Sequence, residues 1–193
     1  MAARIPLSSR PLDLIYFTFF VIHLPASLLL DCQAVYPSWL VPSFITVLPK
    51  MYTQFSADPL INGAMGYAGD SSNFIWFKSF LALEAFFQVP VFVLGIRGLW
   101  KDSRSIYVLL LVYAASTATT TLPCLAVLLA TPITSAQTIA AGIPSVTSFQ
   151  RLLLLSSYVP FFLLPLFMTV DMALRVIKLV HAGAASAAGK KSQ

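Results

Sequence analysis

One stretch of sequence, residues 12–37, constrains the fold more than any other. It reads LDLIYFTFFVIHLPASLLLDCQAVYP, and a membrane-spanning helix needs about 20 predominantly apolar residues, so this stretch is long enough to cross a bilayer. It nevertheless contains His23 and Asp31. An ionisable group in a membrane segment is costly and normally faces the interior of a helix bundle or a cavity. The stretch therefore predicts a membrane helix that carries a functional acid near one end.

The composition of the chain points to a bilayer as its solvent. Of its 193 residues, 58% are hydrophobic and 10% are charged, whereas a soluble domain is about 25% charged. The net charge of +5 is interpreted as membrane topology and contact with anionic lipids, not as nucleic-acid binding. Cys32 and Cys124 are far apart in sequence and lie in or beside apolar segments, so they predict neither a disulfide framework nor a metal site. No cofactor is expected.

The apolar segments predict an all-α membrane protein, a bundle of four transmembrane helices. The spans are expected at about residues 12–36, 74–97, 105–130 and 151–180, between an N-terminal tail of residues 1–10 and a C-terminal tail of residues 181–193. Residues 38–73 are predicted to begin with a short amphipathic piece and to end in a Gly-rich loop.

Lysine and arginine counts predict the orientation of the bundle. Nine of these residues fall on the side of the two termini and three on the opposite side, so the positive-inside rule places both termini in the cytosol. Lys190 and Lys191 then stand third and fourth from a cytosolic chain end. A dilysine there is a receptor-read retrieval address, which predicts the endoplasmic reticulum membrane.

Two acids are predicted to meet inside the bundle. Asp31 lies five residues before Tyr36, and Glu84 lies eight residues after Trp76. At the rise of an α-helix, Asp31 lies roughly 8 Å and Glu84 roughly 12 Å inside the same membrane boundary. Two carboxyls this close in a low dielectric should share a proton. Such a pair is a natural receptor for a cationic amine.

Polar and aromatic residues of the other spans complete the predicted pocket. Gln88 follows one turn after the acid of the second span, on the same face. Thr120 and Tyr158 are predicted to line the same space, with Phe87 and Phe161 as apolar walls. An apolar pocket with a few convergent polar groups is the default ligand site.

Structural alternatives stay open for several of these residues. Asp31 could instead cap the helix end or bond loop backbone, and His23 could be a packed, hydrogen-bonded histidine. Asp58 could be a helix cap or a turn residue. A stripe on the third span comprises Tyr113, Thr117, Thr120 and Cys124. Small hydroxyl residues in such a stripe usually pack against other helices.

The chain resembles the sigma-2 receptor (transmembrane protein 97) family, in the EXPERA-domain group that includes emopamil-binding protein. The matching stretches are HLPASLLLDCQAVYP (23–37), FSADPL (55–60), WFKSFLALEAFFQVP (76–90), TATTTLP (117–123) and SSYVPFFLLP (156–165). The resemblance implies a four-helix EXPERA fold in the endoplasmic reticulum, often a homodimer, that binds sterols and amine-bearing ligands. Fungal members of this group resemble the efficient mitochondria targeting-associated protein.

The resemblance also implies roles for individual residues. Asp31 matches the amine-binding acid of the family, and Glu84 matches the acid that hydrogen-bonds it. Asp58 matches a further ligand-associated acid. The pocket-lining positions are Thr120 and Tyr158, and Phe161 stands where the family often has tyrosine.

Three functions are weighed. The leading hypothesis is a non-enzymatic receptor for sterol, lipid-like or cationic amphiphilic ligands, with a role in sterol and lipid homeostasis. The second is an interaction factor at the reticulum surface that assists mitochondrial precursor proteins through protein partners. The third is a sterol isomerase, which needs a proton donor and an acceptor around the substrate. The resemblance to that enzyme relies on a histidine and a glutamate close together on the second span. Here His23 is on another helix than Glu84, which counts against catalysis.

Overall fold

The computed structural model describes residues 5–191, and for Lys190 and Lys191 it describes the backbone alone. The side chains of the predicted retrieval signal therefore lie outside the described residues. Residues 5–191 contain helices and no strand, apart from one isolated bridge between Ile133 and Val146.

Four segments are long and apolar enough to cross a membrane, which confirms the predicted four-helix membrane bundle. They are the first span, Pro11–Ala34; the second span, Ser72–Trp100; the third span, Arg104–Ala130; and the fourth span, Ser148–Gly189. The predicted cytosolic position of the two termini stays a prediction.

The first span is a helix followed by a tighter turn. Helix α1 covers Pro11–Leu29, and a 3₁₀ turn covers Asp31–Ala34. The sequence predicted a span that continues to about residue 36. Instead α1 ends at Leu29, and the side-chain amide of Gln33 donates a hydrogen bond to the carbonyl of Leu29, at 2.5 Å. This bond satisfies one of the carbonyl groups that a helix end leaves without a partner. Asp31 therefore projects from the turn that ends the span and not from the helix.

The segment between the first two spans is more helical than expected. A 3₁₀ turn at Ser38–Leu40 is followed by α2 (Val47–Ser56) and α3 (Pro59–Ala64). Asp58 starts α3, because its side chain accepts hydrogen bonds from the backbone N–H groups of Leu60 and Ile61. This is an N-cap, as the structural alternative for Asp58 predicted.

A π-turn interrupts the second span at its acid. The span consists of a 3₁₀ turn (Ser72–Phe74), α4 (Ile75–Leu83), the π-turn (Glu84–Gln88) and α5 (Val89–Trp100). The N–H of Val89 bonds to the carbonyl of Glu84, five residues earlier. Pro90 explains the irregularity, because proline has no N–H and its ring would clash with the carbonyl four residues before it. Such turns are frequent at functional sites.

The third and fourth spans are the longest helices. Helix α6 covers Tyr107–Ala130, a short α7 covers Ala136–Ala140, and α8 covers Ser148–Lys191. The fourth span was expected to end near residue 180, but α8 continues, and residues 177–189 are exposed along it. The helix thus extends beyond the packed bundle.

Close packing between the first and second spans depends on a glycine. A Cβ built on Gly95 would lie 2.8 Å from a ring carbon of Phe20, so only glycine lets α1 and α5 approach this closely. The Phe20 ring is fully buried, and its centroid lies 5.6 Å from the ring centroid of Phe92 and 5.3 Å from that of Tyr113. This aromatic cluster forms the core of the bundle.

An ion network closes the end of the bundle where the N-terminus lies. Buried Asp13 accepts hydrogen bonds from Arg10 and, at 2.6 Å, from Arg175. Arg175 also pairs with Asp171, four residues before it on the same helix, at 2.9 Å, and Arg10 lies 3.4 Å from Asp102. The network therefore joins the first span, the turn after the second span, and the fourth span.

Candidate functional site

A cavity of about 250 Å³ lies within the bundle. All four spans and α2 contribute to its wall. Its lining residues are His23, Ala26, Leu30, Asp31, Tyr52, Phe77, Phe80, Leu81, Glu84, Gln88, Thr117, Thr120, Thr121, Cys124, Ser157, Tyr158 and Phe161. Pockets for drug-sized ligands have volumes of roughly 300–1,000 Å³. The cavity is slightly smaller than this range, so a drug-sized ligand would extend partly out of it.

The structure brings both predicted acids to this one cavity. Asp31 reaches it from the 3₁₀ turn after α1, and Glu84 reaches it from the π-turn. Within residues 5–191, no hydrogen bond or ion pair engages the carboxyl of Asp31, which is half-buried. The alternative in which Asp31 caps the helix end or bonds loop backbone is therefore not what the structure shows. This acid is free to receive a partner.

Glu84 is held by neighbours on the first span. The hydroxyl of Ser27 donates to its Oε1, and Nε2 of His23 lies 3.7 Å from the same oxygen. Ser27 is fully buried and His23 is nearly so. The two acids thus differ, because Glu84 has a fixed donor whereas Asp31 has none.

Asp58 does not line the cavity, although it holds two residues that do. Its Oδ2 accepts hydrogen bonds from the hydroxyls of Tyr52 and Tyr158, each at 2.9 Å. The side chain is completely buried, and burial raises the pKa of Asp58, with the surrounding hydrogen bonds opposing the shift. Asp58 is therefore a structural acid that orients two walls of the cavity.

Of the other residues predicted to form the cavity wall, four line the cavity and one packs in the core of the bundle. Gln88, Thr120, Tyr158 and Phe161 all line the cavity. Phe87 does not, because it packs against the core cluster of the bundle on the other side of the π-turn. The π-turn changes the direction in which successive side chains project, and a regular helix was assumed in the prediction.

The stripe on the third span faces the cavity in part. Thr117, Thr120 and Cys124 line it, whereas Tyr113 packs in the aromatic core.

Sequence reasoning missed Ser27 and Tyr52. No local pattern marks Ser27 as a partner of Glu84, 57 residues away. Tyr52 does have a signal, because it lies on the inner face of an amphipathic helix, close in sequence to Asp58.

Within residues 5–191 no group of three or more His, Cys, Asp or Glu residues could hold a metal ion. Cys32 and Cys124 are buried free thiols. The polar chemistry of the cavity is therefore that of two carboxyls, an imidazole, amides and hydroxyls.

Fold and cavity together define a class: a multi-pass helical membrane protein with an acid-lined cavity inside a four-span bundle. Comparison with known proteins narrows the class further. The model of the family described as EXPERA (EXPanded EBP superfamily) matches residues 44–172. The chain belongs to this family.

Named relatives fall into two groups. Sigma intracellular receptor 2 from Homo sapiens is 31% identical over 168 residues, covering 86% of this chain and 90% of the receptor. The receptor of the same name from Xenopus tropicalis is 32% identical over 165 residues, covering 85% and 89%. Efficient mitochondria targeting-associated protein 19 from Schizosaccharomyces pombe is 27% identical over 183 residues, covering 93% and 84%. The resemblance found in the sequence motifs is thereby confirmed.

Proposed function

We propose that this protein is a non-enzymatic receptor that binds a cationic or sterol-like amphiphile in the cavity between its four spans. The observation that carries the proposal is the carboxyl of Asp31, which lines an otherwise largely apolar cavity and has no partner within residues 5–191. A charged or polar group inside a membrane segment is expensive unless something pairs with it. An ammonium group of a ligand would supply that partner.

The surroundings of Asp31 fit an amphiphile. Rings of Phe77, Phe80 and Phe161 give apolar walls for its hydrophobic body. Glu84, held by Ser27, adds a second acid that can accept a hydrogen bond from the same ligand or from Asp31 in its protonated form. The names of the relatives from Homo sapiens and Xenopus tropicalis support a receptor.

Equilibrium binding of a hydrophobic tertiary amine and of cholesterol to the purified full chain tests this proposal. Asp31→Asn should weaken amine binding by tenfold or more, because a charge-assisted hydrogen bond contributes roughly 1.5–3 kcal/mol. Glu84→Gln should weaken it less, since Ser27 can still donate to the amide oxygen. The matched control is Asp70→Asn, which alters an exposed loop acid outside the cavity. Unchanged amine affinity in Asp31→Asn would refute the proposed site.

The proposed setting of this receptor is the endoplasmic reticulum membrane, with both termini in the cytosol and a role in sterol and lipid homeostasis. The lysine and arginine asymmetry and the Lys190–Lys191 pair support it. Replacing both lysines by serine should move a tagged chain out of the reticulum, whereas a chain that stays there would argue against the signal. A homodimer is proposed as the assembly, and mass measurement in detergent tests it.

An interaction factor for mitochondrial precursors is the second candidate. The relative from Schizosaccharomyces pombe supports it, as does an exposed apolar surface formed by Trp39, Phe44, Met51 and Phe55, each at least 60% exposed. Proximity labelling from the tagged chain should then recover precursors or targeting factors. Charged substitutions at Trp39 and Phe44 should abolish that recovery while amine binding stays unchanged.

The isomerase hypothesis gains one observation from the structure. His23 is on a different span from Glu84, as noted, but the fold brings the two side chains to within 3.7 Å of each other. The spacing argument against a histidine–glutamate pair is therefore weaker than the sequence suggested. The named relatives from Homo sapiens and Xenopus tropicalis are receptors, so binding without turnover remains the proposal. Conversion of a sterol by the purified protein, abolished in Glu84→Gln, would overturn it.

A further inference from the structure

Helix α2 exposes an apolar face and buries a polar one, which is the reverse of a helix on a water-soluble protein. Its buried residues include the hydroxyl-bearing Thr53 and Ser56. Val47, Met51 and Phe55 follow one another at four-residue spacing, so they form one apolar face of the helix. Their side chains are 45%, 60% and 60% exposed. This apolar face therefore suits an apolar solvent and not water.

The polar inner face fixes the rotation of α2 about its axis. The hydroxyl of Ser56 donates to the carbonyl of Tyr52 at 2.8 Å and accepts from the N–H of Asp58 at 3.2 Å. The hydroxyl of Tyr52 donates to the carboxyl of Asp58 at 2.9 Å. A rotation that buried Met51 and Phe55 would turn Tyr52 away from that carboxyl. The apolar face is therefore exposed in a defined orientation, and its cover comes from outside residues 5–191.

The segment that contains α2 carries almost no charge. Lys50 is the one charged residue between residues 32 and 57. Before α2, Trp39 and Phe44 are 82% and 77% exposed, and tryptophan is enriched where a membrane meets water because its ring is amphipathic. An exposed apolar patch of this kind marks contact with a membrane or with another protein.

Continuity with the fourth span favours the membrane. The ring centroid of Phe55 lies 6.4 Å from that of Phe149, and the side-chain amide of Gln150 donates to the carbonyl of Phe55 at 3.3 Å. Phe149 and Leu152 lie at the start of the fourth span and are 64% and 67% exposed. Exposed apolar side chains of a membrane-spanning helix face lipid. The apolar face of α2 therefore extends the lipid-facing surface of the bundle.

The polar edge of α2 fits the boundary between acyl chains and headgroups. Lys50 and Gln54 are exposed, and each stands three residues after a residue of the apolar face, so they lie along one edge of that face. Lysine can lay its methylene stem along an apolar surface while its ammonium group reaches a polar layer. A helix of this kind lies in the plane of the membrane interface, with its apolar face about 5–10 Å into the boundary between headgroups and acyl chains.

We propose that α2 and the 3₁₀ turn at Ser38–Leu40 lie in the membrane interface on the side opposite the two termini, with lipid covering their apolar side chains. The apolar face of α2 contacts acyl chains, and Lys50 reaches the lipid phosphates. Because Tyr52 on the inner face lines the cavity, α2 borders the cavity on one side and lipid on the other. The inference holds whichever ligand the cavity takes. A protein on the same surface, as in the second candidate function, is the competing occupant that the test has to exclude.

Site-directed spin labelling of the purified full chain in phosphatidylcholine nanodiscs tests this placement. Met51→Cys and Phe55→Cys carry the label on the apolar face, and Gln54→Cys carries it on the polar edge of the same helix. Asp70→Cys is the control in an exposed loop. Leu163→Cys is the control on the lipid-facing side of the fourth span, where the native side chain is 53% exposed. Collision rates with oxygen, which concentrates among acyl chains, and with a water-soluble nickel chelate give the depth of each label.

The wild type is the background for labelling, because its two thiols, Cys32 and Cys124, are buried. Labels at positions 51 and 55 should collide more often with oxygen than with the chelate and should lie about 5–10 Å into the boundary between headgroups and acyl chains. The label at position 54 should be shallower. The label at position 70 should collide mainly with the chelate, and the label at position 163 should be the deepest.

A second measurement leaves α2 unchanged. Trp76→Phe and Trp100→Phe together leave Trp39 as the one tryptophan of the chain. Lipids brominated on their acyl chains should quench the fluorescence of Trp39 more strongly than aqueous iodide does.

Two kinds of result would overturn the inference. If positions 51 and 55 are as accessible to the chelate as position 70, or if iodide quenches Trp39 more strongly than brominated lipid does, the surface faces water and is open to a protein. If the labels at positions 51 and 55 show spin–spin broadening that dilution with unlabelled chain removes, a second copy of the chain covers the surface in place of lipid. Neither result bears on ligand binding in the cavity.

Discussion

Asp58→Ala is the substitution whose effect the structure defines most completely. It removes the N-cap of α3 and the single oxygen that accepts hydrogen bonds from both Tyr52 and Tyr158. Loss of a cap costs about 0.5–2 kcal/mol, and each buried hydroxyl left without a partner costs about 1–3 kcal/mol. Both tyrosines line the cavity, where their hydroxyls can turn toward water, so the lower end of the range applies. We expect a loss of about 3 kcal/mol in the free energy of unfolding.

Asp58→Asn provides the graded comparison. Asparagine is as good an N-cap as aspartate, so α3 should keep its start. The amide NH₂ would replace one carboxyl oxygen, and both tyrosine hydroxyls would have to accept where they now donate. We expect this change to cost about 1–2 kcal/mol. A mutant cycle that combines Asp58→Asn with Tyr158→Phe should show a coupling energy of about 0.5–3 kcal/mol, as contacting residues do.

The assay is thermal unfolding of the purified protein in detergent, read by tryptophan fluorescence. For a chain of this length, 1 kcal/mol corresponds to roughly 2–4 °C in Tm, so Asp58→Ala should melt roughly 6–12 °C below the wild type. Asp70→Asn, the same change of acid to amide in an exposed loop, should melt with the wild type. Equal Tm values for Asp58→Ala and the wild type would refute the structural role of this carboxyl. So would equal losses for the Ala and Asn variants.

Three further predictions address pH, charge and packing. Burial raises the pKa of Asp58, so the folded state binds the proton of this carboxyl more tightly than the unfolded state does. The free energy of unfolding of the wild type should therefore fall as pH rises above about 4. Urea titrations at several pH values should show this fall in the wild type and not in Asp58→Asn. Asp13→Asn leaves two partly exposed guanidinium groups around a neutral amide and should cost about 2–3 kcal/mol in urea unfolding, below the 3–5 kcal/mol of a fully buried pair; insensitivity to this change would show that the ion network adds nothing. Gly95→Ala places a Cβ against a buried ring and should cost about 1–3 kcal/mol in thermal unfolding, whereas Gly183→Ala, with nothing within 4 Å, should be neutral or stabilising by up to about 1 kcal/mol.

Much of the architecture was predictable because apolar length alone specifies a membrane helix. The positions of Asp31 and Glu84 relative to aromatic residues at the membrane boundary were enough to predict that both lie at one depth, and the structure places both at one cavity. Depth along a helix follows from residue counting, which needs no knowledge of packing. This is why the acids could be paired from the sequence.

The contacts that hold the site could not be predicted in the same way. The bond from Ser27 to Glu84 and the bond from Tyr158 to Asp58 join residues 57 and 100 positions apart. They depend on helix rotation and on the path of α2 and α3, which no local pattern determines. The misplacement of Phe87 has the same origin, since the π-turn before Pro90 changes which side chains face the cavity.

Binding and stability are carried by different polar groups in this bundle, and that separation has a physical reason. The ion network around Asp13 joins three parts of the chain at one end, and Asp58 joins α3, Tyr52 and Tyr158 beside the cavity. Because these acids are saturated with donors, they have little capacity left for a ligand. Asp31 has no such partner within residues 5–191, so its carboxyl can exchange water or a proton for a ligand cation without breaking a contact that holds the fold. Substitutions at Asp31 should therefore change affinity with little change in Tm, whereas substitutions at Asp13 or Asp58 should change Tm first.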